Sequence, residues 1–346
     1  MNESTAVLPR PAAEEVAAPA RLSIVVPLYN EQENVHPLVA RVHEAMRASP
    51  WAWELILVDD GSSDQTLAAL QEERAARGNH VRLIALRRNF GQTAAMQAGI
   101  EAARGELIAT LDGDLQNDPG DIVRLAAHLI ASDVDVVAGW RKRRLDKFLT
   151  RRLPSMLANR LIGSMTGVRL HDYGCTLKVF RASVLKQVPL FGEMHRFIPA
   201  WLATVTSPAR MDEVPVNHRA RVAGTSKYGL SRTFRVITDL LSMHFFLNYG
   251  TRPGHFFGGI GLFTGSVGGL ILAWLAVQKF VMGQAIGGRP LLTMGFFLVI
   301  AGLQLLLTGV LAELLIRIYY DGRHAQPYHH GNGTAPSDDA GWHSLR

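Results

Sequence analysis

Two long apolar stretches near the C-terminal end constrain the fold of this chain more than any other feature. Phe256 to Val277 and Leu291 to Ala312 are each 22 residues long and contain no Asp, Glu, Lys or Arg. At about 1.5 Å of rise per residue, a helix of that length crosses a hydrocarbon core about 30 Å thick. Helices buried in a large soluble protein are the alternative, but paired uncharged runs are typical of membrane proteins. The sequence therefore predicts two transmembrane helices within residues 255–320.

Ahead of these stretches, short apolar runs alternate with segments of helical length. The runs are rich in β-branched residues and have the continuous hydrophobicity of strands buried on both faces. The predicted strands are Leu22–Pro27, Glu54–Asp59, Val81–Leu86, Leu107–Leu111 and Val134–Ala138. The predicted helices are Asn34–Ala48, Thr66–Arg77, Thr93–Ala103 and Ile122–Ser132. This alternation predicts an α/β domain with a mostly parallel sheet and helices on both faces.

Polar clusters follow four of the predicted strands at their carboxyl ends, where ligands of such sheets bind. The clusters are Tyr29-Asn30-Glu31, Asp59-Asp60-Gly61-Ser62-Ser63-Asp64, Arg87-Arg88-Asn89 and Asp112-Gly113-Asp114. A sharp turn at the glycine between Asp112 and Asp114 can aim both carboxylates at one hard divalent cation. We therefore predict a Mg²⁺ or Mn²⁺ site formed by Asp112, Asp114 and Gln116. A solvated turn is the alternative for an isolated Asp-x-Asp.

The distribution of basic residues narrows the choice of partners. A formal net charge of +6 is compatible with nucleic acid, anionic lipid or a phosphorylated substrate. Residues 141–167 interleave basic and apolar side chains, and residues 230–249 place apolar side chains at helical spacing directly before the first predicted span. Both segments indicate amphipathic helices at a membrane surface, with ordinary surface helices as the alternative. We expect anionic lipid and no nucleic acid.

The tails, the single cysteine and the flanking charges indicate a compartment. Residues 1–20 lack the basic and apolar regions of a secretory signal, and both they and residues 321–346 are predicted to be disordered tails. Cys175 is the only cysteine, so no intramolecular disulfide forms and a reducing compartment is allowed. Only Lys279 and Arg289 lie in the short connection between the spans. The positive-inside rule therefore predicts that both termini are cytoplasmic.

Six motifs occur in an order that carries a family resemblance. They are Val26-Pro27-Leu28-Tyr29-Asn30-Glu31, Val58-Asp59-Asp60-Gly61-Ser62-Ser63-Asp64, Arg88-Asn89-Phe90-Gly91-Gln92, Leu111-Asp112-Gly113-Asp114-Leu115-Gln116, Asp172-Tyr173-Gly174-Cys175 and Gly224-Thr225-Ser226-Lys227-Tyr228. Together they resemble inverting glycosyltransferases of family 2, in the polyprenyl-phosphate branch that includes dolichyl-phosphate mannose synthase, bacterial glucosyltransferases and aminoarabinose transferases. The resemblance covers residues 22–320. The Gln-x-x-Arg-Trp motif of processive family 2 enzymes is absent.

This resemblance implies a GT-A fold, which is a Rossmann-like architecture, in a cytoplasmic catalytic domain at residues 21–229. An amphipathic interface region would follow at residues 230–254. The implied nucleotide-binding residues are Pro27, Tyr29, Glu31, Asp59, Asp60 and Asp112. The implied reaction moves a sugar from a UDP-sugar to a polyprenyl phosphate at the cytoplasmic face of a bacterial inner membrane. A homotetramer is suggested by the resemblance alone.

The sugar is less constrained than the reaction. Glucose is slightly favoured, because the two-span architecture and the segment Glu193-Met194-His195-Arg196-Phe197 look more like the glucosyltransferase branch. Mannose, N-acetylhexosamines and aminoarabinose stay open.

The acceptor requires little base catalysis, because the oxygen of a polyprenyl phosphate is already anionic at neutral pH. The site must instead hold two charged phosphates together, for which basic side chains are suited. The candidates for contacting the lipid phosphate are Arg141, Arg219, Arg221 and Lys227. Asp172 is a candidate for orienting a sugar hydroxyl or assisting proton movement, and a turn residue is the alternative. The candidate catalytic residues are Asp114, Arg141 and Asp172.

Two other function classes fit parts of the sequence. A nucleotidyltransferase also uses a nucleotide, a cation and a doubly wound sheet. It requires a Gly-rich basic loop after the first strand, where this chain has Leu28-Tyr29-Asn30-Glu31-Gln32. A membrane scaffold with two spans explains the basic helices by lipid binding, but not the acidic residues at several strand ends.

Overall fold

The structure of the chain is a computed structural model. The residues that it describes are 22–142, 153–219, 231–250 and 252–323. They fall into two compact units that divide between Thr233 and Phe234. Residues 1–20, residues 143–152 of the basic segment, residues 324–346, and the lipid-phosphate candidates Arg221 and Lys227 lie outside the described residues. The C-terminal tail was predicted to begin at residue 321, but residues 321–323 continue the last helix.

The first unit is built around one sheet, to which the described residues contribute seven strands. The strands are β1 Leu22–Leu28, β2 Trp53–Asp59, β3 Val81–Ala85, β4 Leu107–Thr110, β5 Val136–Trp140, β6 Lys178–Arg181 and β7 Met211–Pro215. Their order across the sheet is β3-β2-β1-β4-β6-β5-β7. The pairings β1–β2, β1–β4, β2–β3 and β5–β7 are parallel, whereas β6 is antiparallel to β4 and β5. The predicted mostly parallel sheet is confirmed.

Helices connect these strands and cover the sheet. They are α1 Gln32–Met46, α2 Thr66–Arg77, α3 Gln92–Ala102, α4 Gly120–Ala131, α5 Leu153–Thr166, α6 Ala182–Leu185 and α7 Ile198–Leu202, with 3₁₀ turns at Met194–Phe197 and Pro208–Arg210. The four predicted helices correspond to α1–α4, and α2 has the predicted bounds. Val35, Leu38 and Val42 recur at helical spacing on α1 and are buried in the core.

Two apolar clusters fill the two faces of the sheet. Ile24 and Val26 belong to one cluster and Val25 to the other, while Leu55 and Ile56 divide in the same way. Successive side chains of a strand point to opposite faces, so β1 and β2 are buried on both. Each fully buried aliphatic side chain contributes about 1.5 to 3 kcal/mol relative to an exposed one. The continuous hydrophobicity of the predicted strands reflects this two-sided burial.

The sequence does not predict β6 or β7. Strand β6 has only four residues and begins with the charged Lys178, and β7 carries Asp212 and Glu213, so neither has the apolar run of a core strand. Strand β6 inserts between β4 and β5, where Lys178 pairs with Thr110 and Ala138. Because β6 is antiparallel to both neighbours, its first residue lies at the edge where β4 and β5 end.

Within its described residues, the second unit contains two long helices in full and all but the first three residues of a third. They are α8 Ser231–Tyr249, α9 Pro253–Phe280 and α10 Pro290–Arg323. Helix α9 and the part of α10 up to Ile316 are long and apolar enough to cross a membrane, and they contain the two predicted spans. The two helices approach closely at glycines, since a Cβ added at Gly302 would lie 2.6 Å from the Gly265 nitrogen. Large apolar side chains such as Phe263 and Leu315 face outwards.

Helix α8 carries part of the predicted amphipathic face. Its Phe245 packs against Phe256 and Phe257 of α9, at ring-centroid distances of 5.3 and 5.7 Å. Leu241, one turn earlier on the predicted face, is 64% exposed. Leu230, at the start of this face, lies outside the described residues.

Candidate active site

Most of the predicted site residues that the structure describes lie at one edge of the sheet. The parallel strands β1, β2, β4 and β5 all end there, and the loops that follow them carry the polar clusters. Asp112 and Asp114 follow β4, and Arg141 follows β5. Asp172 reaches the same edge by another route, because its loop leads into the antiparallel strand β6.

Asp112 and Asp114 form an acidic pair. Burial and the charge of Asp114 raise the pKa of Asp112 to about 6, although the side chain of Thr176 hydrogen-bonds to Asp112 and acts in the opposite direction. Gln92, at the start of α3, donates from its side-chain amide to Asp112 Oδ1 at 2.8 Å. Asp114 Oδ1 accepts the main-chain N–H of Gln116 at 3.2 Å, which fixes the turn.

This pair has the character of a site for a hard cation. A divalent ion would offset the repulsion that raises the pKa of Asp112, and carboxylate oxygens are the ligands that Mg²⁺ and Mn²⁺ prefer. Within the described ranges, no group of three or more His, Cys, Asp or Glu side chains is arranged to hold a metal ion. A cation held by these two carboxylates would have coordination positions left for substrate phosphates and water. The role of Gln116 as a ligand stays a prediction.

Arg141 and Asp172, two of the candidate catalytic residues, bind each other. Arg141 donates from Nε to Asp172 Oδ2 at 2.7 Å and from Nη2 to Oδ1 at 2.9 Å. The Arg141 main-chain N–H also donates to Oδ2 at 3.3 Å. The Asp172 side chain is 3% exposed and that of Arg141 is 16% exposed. Both Asp172 oxygens are thus engaged in holding a guanidinium, which favours an orienting role over that of a proton acceptor.

The loop after β1 carries three of the predicted nucleotide-binding residues. Pro27 is buried within β1, whereas Tyr29 directly after the strand is 40% exposed. The main-chain N–H of Glu31 donates to Thr66 Oγ1 at 2.9 Å, and the Glu31 carboxylate accepts a short hydrogen bond from Asn34. This loop is therefore fixed against the start of α2, with the Tyr29 ring outermost.

The two acidic residues after β2 have different surroundings. Asp59 is buried and accepts the main-chain N–H of Ser62 with both oxygens at 3.3 Å. Asp60 is also buried, and its oxygens accept the main-chain N–H groups of Phe90 and Gly91 at 2.8 and 2.9 Å. Asp60 therefore ties the loop after β2 to the loop after β3. Its predicted contact with the nucleotide stays a prediction.

The two loops approach so closely that glycine is required at position 61. Gly61 has a φ of +66°, and a Cβ added there would lie 2.3 Å from the main-chain carbon of Arg88. Arg88 itself lies over the exposed ring of Phe90, with 4.4 Å between its guanidinium carbon and the ring centroid.

Of the predicted lipid-phosphate residues, Arg141 and Arg219 are described. Arg219 is 55% exposed and donates to Asp118 Oδ2 at 2.9 Å, and its main-chain N–H donates to the Gln116 carbonyl at 2.8 Å. A β-bridge between Asn117 and His218 joins the same two segments. Arg219 thus lies beside the loop that carries Asp114.

Several further side chains belong to the site, although no role was predicted for them individually. Gln92 closes one of the quoted motifs, so the motif itself offered a signal. The sequence signal for Thr176 and Lys178 is weak. It consists only of a lysine beside the apolar residues of a short run. His195 donates to or accepts from Thr93 Oγ1 at 2.6 Å, and burial lowers its pKa to about 3, so this imidazole is neutral at physiological pH.

Comparison with known proteins agrees with this geometry. A family model for glycosyl transferase family 2 matches residues 23–188. The dodecaprenyl-phosphate galacturonate synthase of Rhizobium johnstonii is 56% identical over 299 residues, which cover 86% of this chain and 88% of that enzyme. The undecaprenyl-phosphate 4-deoxy-4-formamido-L-arabinose transferase of Pseudomonas aeruginosa is 36% identical over 303 residues, 87% of each chain.

Two solved structures share the fold at low sequence identity. Mannosyl-3-phosphoglycerate synthase from Rubrobacter xylanophilus has a TM-score of 0.52 and 13% identity, covering 65% of this chain and 74% of that one. Glucosyl-3-phosphoglycerate synthase from Mycobacterium tuberculosis, in complex with Mn²⁺, UDP and glucosyl-3-phosphoglycerate, has a TM-score of 0.51 and 16% identity, covering 65% and 80%. The fold is therefore that of a GT-A glycosyltransferase. The chain belongs to glycosyl transferase family 2, in its polyprenyl-phosphate branch.

Proposed function

We propose that the chain transfers galacturonate from UDP-galacturonate to a polyprenyl phosphate. The observation that carries this choice is 56% identity over 86% of the chain to a galacturonate synthase, against 36% to the aminoarabinose transferases. The expected slight preference for glucose finds no support among these relatives. A 4-deoxy-4-formamido-arabinose donor is the second candidate.

The acceptor phosphate is the nucleophile in this reaction. One of its oxygens attacks C1 of the sugar from the face opposite the nucleotide, and the C1–O bond to the diphosphate breaks with its electron pair leaving on the diphosphate. No proton has to be removed from the acceptor, so the site needs cations and alignment more than a base. The binding of Asp172 to Arg141 supports this reading, because that carboxylate orients a guanidinium towards which a phosphate can be drawn.

Asp112 and Asp114, with Gln116 nearby, would hold the divalent cation. A bound Mg²⁺ or Mn²⁺ would supply positive charge to neutralise the departing diphosphate. The acidic pair at the edge of the sheet supports this assignment, as does the Mn²⁺ and UDP complex of the mycobacterial enzyme. Two hydrogen bonds would hold the carboxylates in position. The main-chain N–H of Gln116 donates to Asp114 Oδ1, and the side-chain amide of Gln92 donates to Asp112 Oδ1.

The remaining predicted residues divide between the two substrates. Pro27, Tyr29, Glu31 and Asp59 would line the nucleotide, with the exposed Tyr29 ring available to the base and Asp60 holding the adjacent loop. Arg141, Arg219, Arg221 and Lys227 would contact the lipid phosphate. The position of Arg219 beside the Asp114 loop supports its place in this group.

The two long apolar helices of the second unit support a membrane-anchored arrangement. Helices α9 and α10 would anchor the enzyme in a bacterial inner membrane, with residues 230–254 at the interface and the catalytic domain, residues 21–229, in the cytoplasm. Both tails, residues 1–20 and 321–346, would then be cytoplasmic. Assembly as a homotetramer belongs to the same proposal.

A panel of donors tests the choice of sugar. The purified full chain is incubated with undecaprenyl phosphate, a divalent cation and one of UDP-galacturonate, UDP-galactose, UDP-glucose or UDP-4-deoxy-4-formamido-arabinose, and the lipid is analysed by mass spectrometry. UDP-galactose is the matched control, because it differs from UDP-galacturonate only at C6. We expect a glycolipid from UDP-galacturonate alone. Product from UDP-galactose at an equal rate, or only from the arabinose donor, contradicts the proposal.

A further inference from the structure

Lys178 is a lysine that the structure buries almost completely. It opens β6, an interior strand of the sheet, and is 1% exposed. Lysine is almost never fully buried unless its ammonium is paired. Here its Nζ donates to two main-chain carbonyls, those of Tyr173 at 3.1 Å and Cys175 at a shorter distance. Both carbonyls belong to the loop that precedes the strand, residues 172–177.

This loop connects the two halves of the candidate site. At one end, Asp172 holds the Arg141 guanidinium. At the other end, the side chain of Thr176 hydrogen-bonds to Asp112, one of the predicted metal ligands. Thr110 provides a second tether, because its hydroxyl donates to the Thr176 carbonyl at 2.6 Å. A change in the conformation of this loop would therefore alter the contacts that both Arg141 and Asp112 make with it.

Burial disfavours the charged form of the Lys178 ammonium, so a lysine at this position costs stability unless it serves the function. Burial lowers the pKa of Lys178, and the negative charges of Asp172 and Asp112 act in the opposite direction. A methionine of similar volume would pack at the same position without desolvating a charge. Positions that break such local rules are concentrated at functional sites.

We propose that Lys178 is a positioning residue for the transfer reaction. Its ammonium holds the loop of residues 172–177 in place, so that Arg141 and the Asp112–Asp114 pair face the same phosphate groups. Lys178 acts through the loop and not by touching the substrate. The inference rests on polyprenyl-phosphate transfer by this chain and does not depend on which sugar is transferred.

Kinetics of the full chain with Lys178→Met test the proposal, using whichever nucleotide sugar the unaltered chain turns over. Losing hydrogen bonds from a charged donor should lower kcat/KM for polyprenyl phosphate by about tenfold to a hundredfold. The Kd of UDP, measured by calorimetry, should stay within about threefold, because the residues proposed to line the nucleotide lie at the ends of β1 and β2 or in the loop after β1, and none of them belongs to the 172–177 loop. Lys178→Arg, which keeps the charge and the donors, should recover part of the loss.

Lys186→Met is a control for the loss of a lysine hydrogen bond to the main chain away from the candidate site. Lys186 also donates its ammonium to a main-chain carbonyl, that of Ala103 at 2.6 Å, but it lies beside the start of β4 at the opposite edge of the sheet. This variant should keep kcat/KM within about twofold. If Lys178→Met fails to fold, Thr110→Val removes the second tether of the loop without changing a charge. It should lower kcat/KM for the lipid by about threefold to tenfold.

A double-mutant cycle separates positioning from general stability. If Lys178 acts through Asp172, the losses from Lys178→Met and Asp172→Asn should be markedly less than additive, because each variant releases the same loop. Additive losses, an equal loss of UDP affinity, or near-normal kinetics in Lys178→Met and Thr110→Val would overturn the inference. Absence of transfer by the unaltered chain with every donor would instead contradict the proposed function.

Discussion

Arg141 and Asp172 meet in a two-point ion pair, with Nε and Nη2 of the guanidinium 2.7 and 2.9 Å from the two carboxylate oxygens. A second pair in the same unit has nearly the same geometry, since Arg210 donates to both oxygens of Asp135 at 2.8 and 2.9 Å. Asp135 directly precedes β5 and Arg141 directly follows it. The two pairs therefore lie at opposite edges of the sheet, and only one is at the candidate site.

The similar geometry of the two ion pairs allows Arg141→Lys to be tested with Arg210→Lys as its control. A lysine cannot make two parallel hydrogen bonds to a carboxylate, and it presents fewer donors to a phosphate. We expect Arg141→Lys to lower kcat/KM for polyprenyl phosphate by about tenfold to a hundredfold, measured at saturating nucleotide sugar. Arg210→Lys should leave it within about twofold. Equal losses in the two variants would assign the Arg141 pair to stability alone.

The raised pKa of Asp112 predicts that replacing this carboxylate stabilises the metal-free protein while abolishing its activity. The pKa of Asp112 is about 6 in the folded chain against 3.8 for an unperturbed Asp, so ionisation disfavours folding above about pH 6, and this penalty fades as the pH falls towards 4. In EDTA at pH 7.5, Asp112→Asn should stabilise the full chain by ~1 to 3 kcal/mol, seen as a higher melting temperature, with little gain at pH 4.

Asp114 provides the companion variant. Asp114→Asn removes the charge that, together with burial, raises the pKa of Asp112, so it should also stabilise the metal-free protein, by a smaller amount. Both variants should lose turnover while staying folded. Near-normal activity in either one would contradict the assignment of the acidic pair to a catalytic cation.

Gly61→Ala tests how the loops after β2 and β3 shape the nucleotide side. The added Cβ would meet the Arg88 main chain at 2.3 Å, so the loops must separate and Asp60 must lose contact with Phe90 and Gly91. We expect at least a tenfold rise in the Kd of UDP, by calorimetry, from an energy loss of about 1.4 kcal/mol or more. Gly78→Ala is the control, because its φ of +89° also disfavours alanine but nothing lies within 4 Å of its Cβ. Unchanged UDP affinity in Gly61→Ala would remove these loops from the nucleotide site.

The proposed topology predicts the accessibility of the tails. An even number of spans returns the chain to its starting side, and basic residues flank the pair of spans. Protease added to intact spheroplasts should therefore leave epitope tags at both termini uncut, whereas protease added to inverted vesicles should remove them. Cleavage of either tag in spheroplasts would show that the orientation is wrong.

Much of the fold was accessible from the sequence because the central strands are buried on both faces. Val25 and Val26 contact opposite layers, so β1 appears as an unbroken apolar run, and the polar residues that follow it mark the edge of the sheet. Strands β6 and β7 escape such reasoning, because charged residues within them are satisfied by tertiary contacts. Lys178 is one example, and Glu213, which binds His171, is another.

The pairings within the site were less predictable than its residue types. Asp112, Asp114, Arg141 and Asp172 were all identified as candidates, but the contact between Arg141 and Asp172 depends on the insertion of β6 between β4 and β5. The contact of Asp60 with the loop after β3 was not predictable either, because its partners are main-chain N–H groups about 30 residues away in the chain. Local sequence patterns carry no information about such long-range hydrogen bonds.

The most direct test of the central claim compares undecaprenyl phosphate with undecaprenol as acceptors for the unaltered full chain. Both are offered in the same detergent with the same nucleotide sugar and cation, and the glycolipid is quantified by mass spectrometry. The phosphate is anionic and can attack C1 directly, whereas an alcohol must first lose its proton. In the described site both oxygens of the Asp172 carboxylate are bound to Arg141, so this carboxylate is not placed to accept that proton. The account predicts glycosylation of undecaprenyl phosphate alone. Glycosylation of undecaprenol at a comparable rate would contradict it.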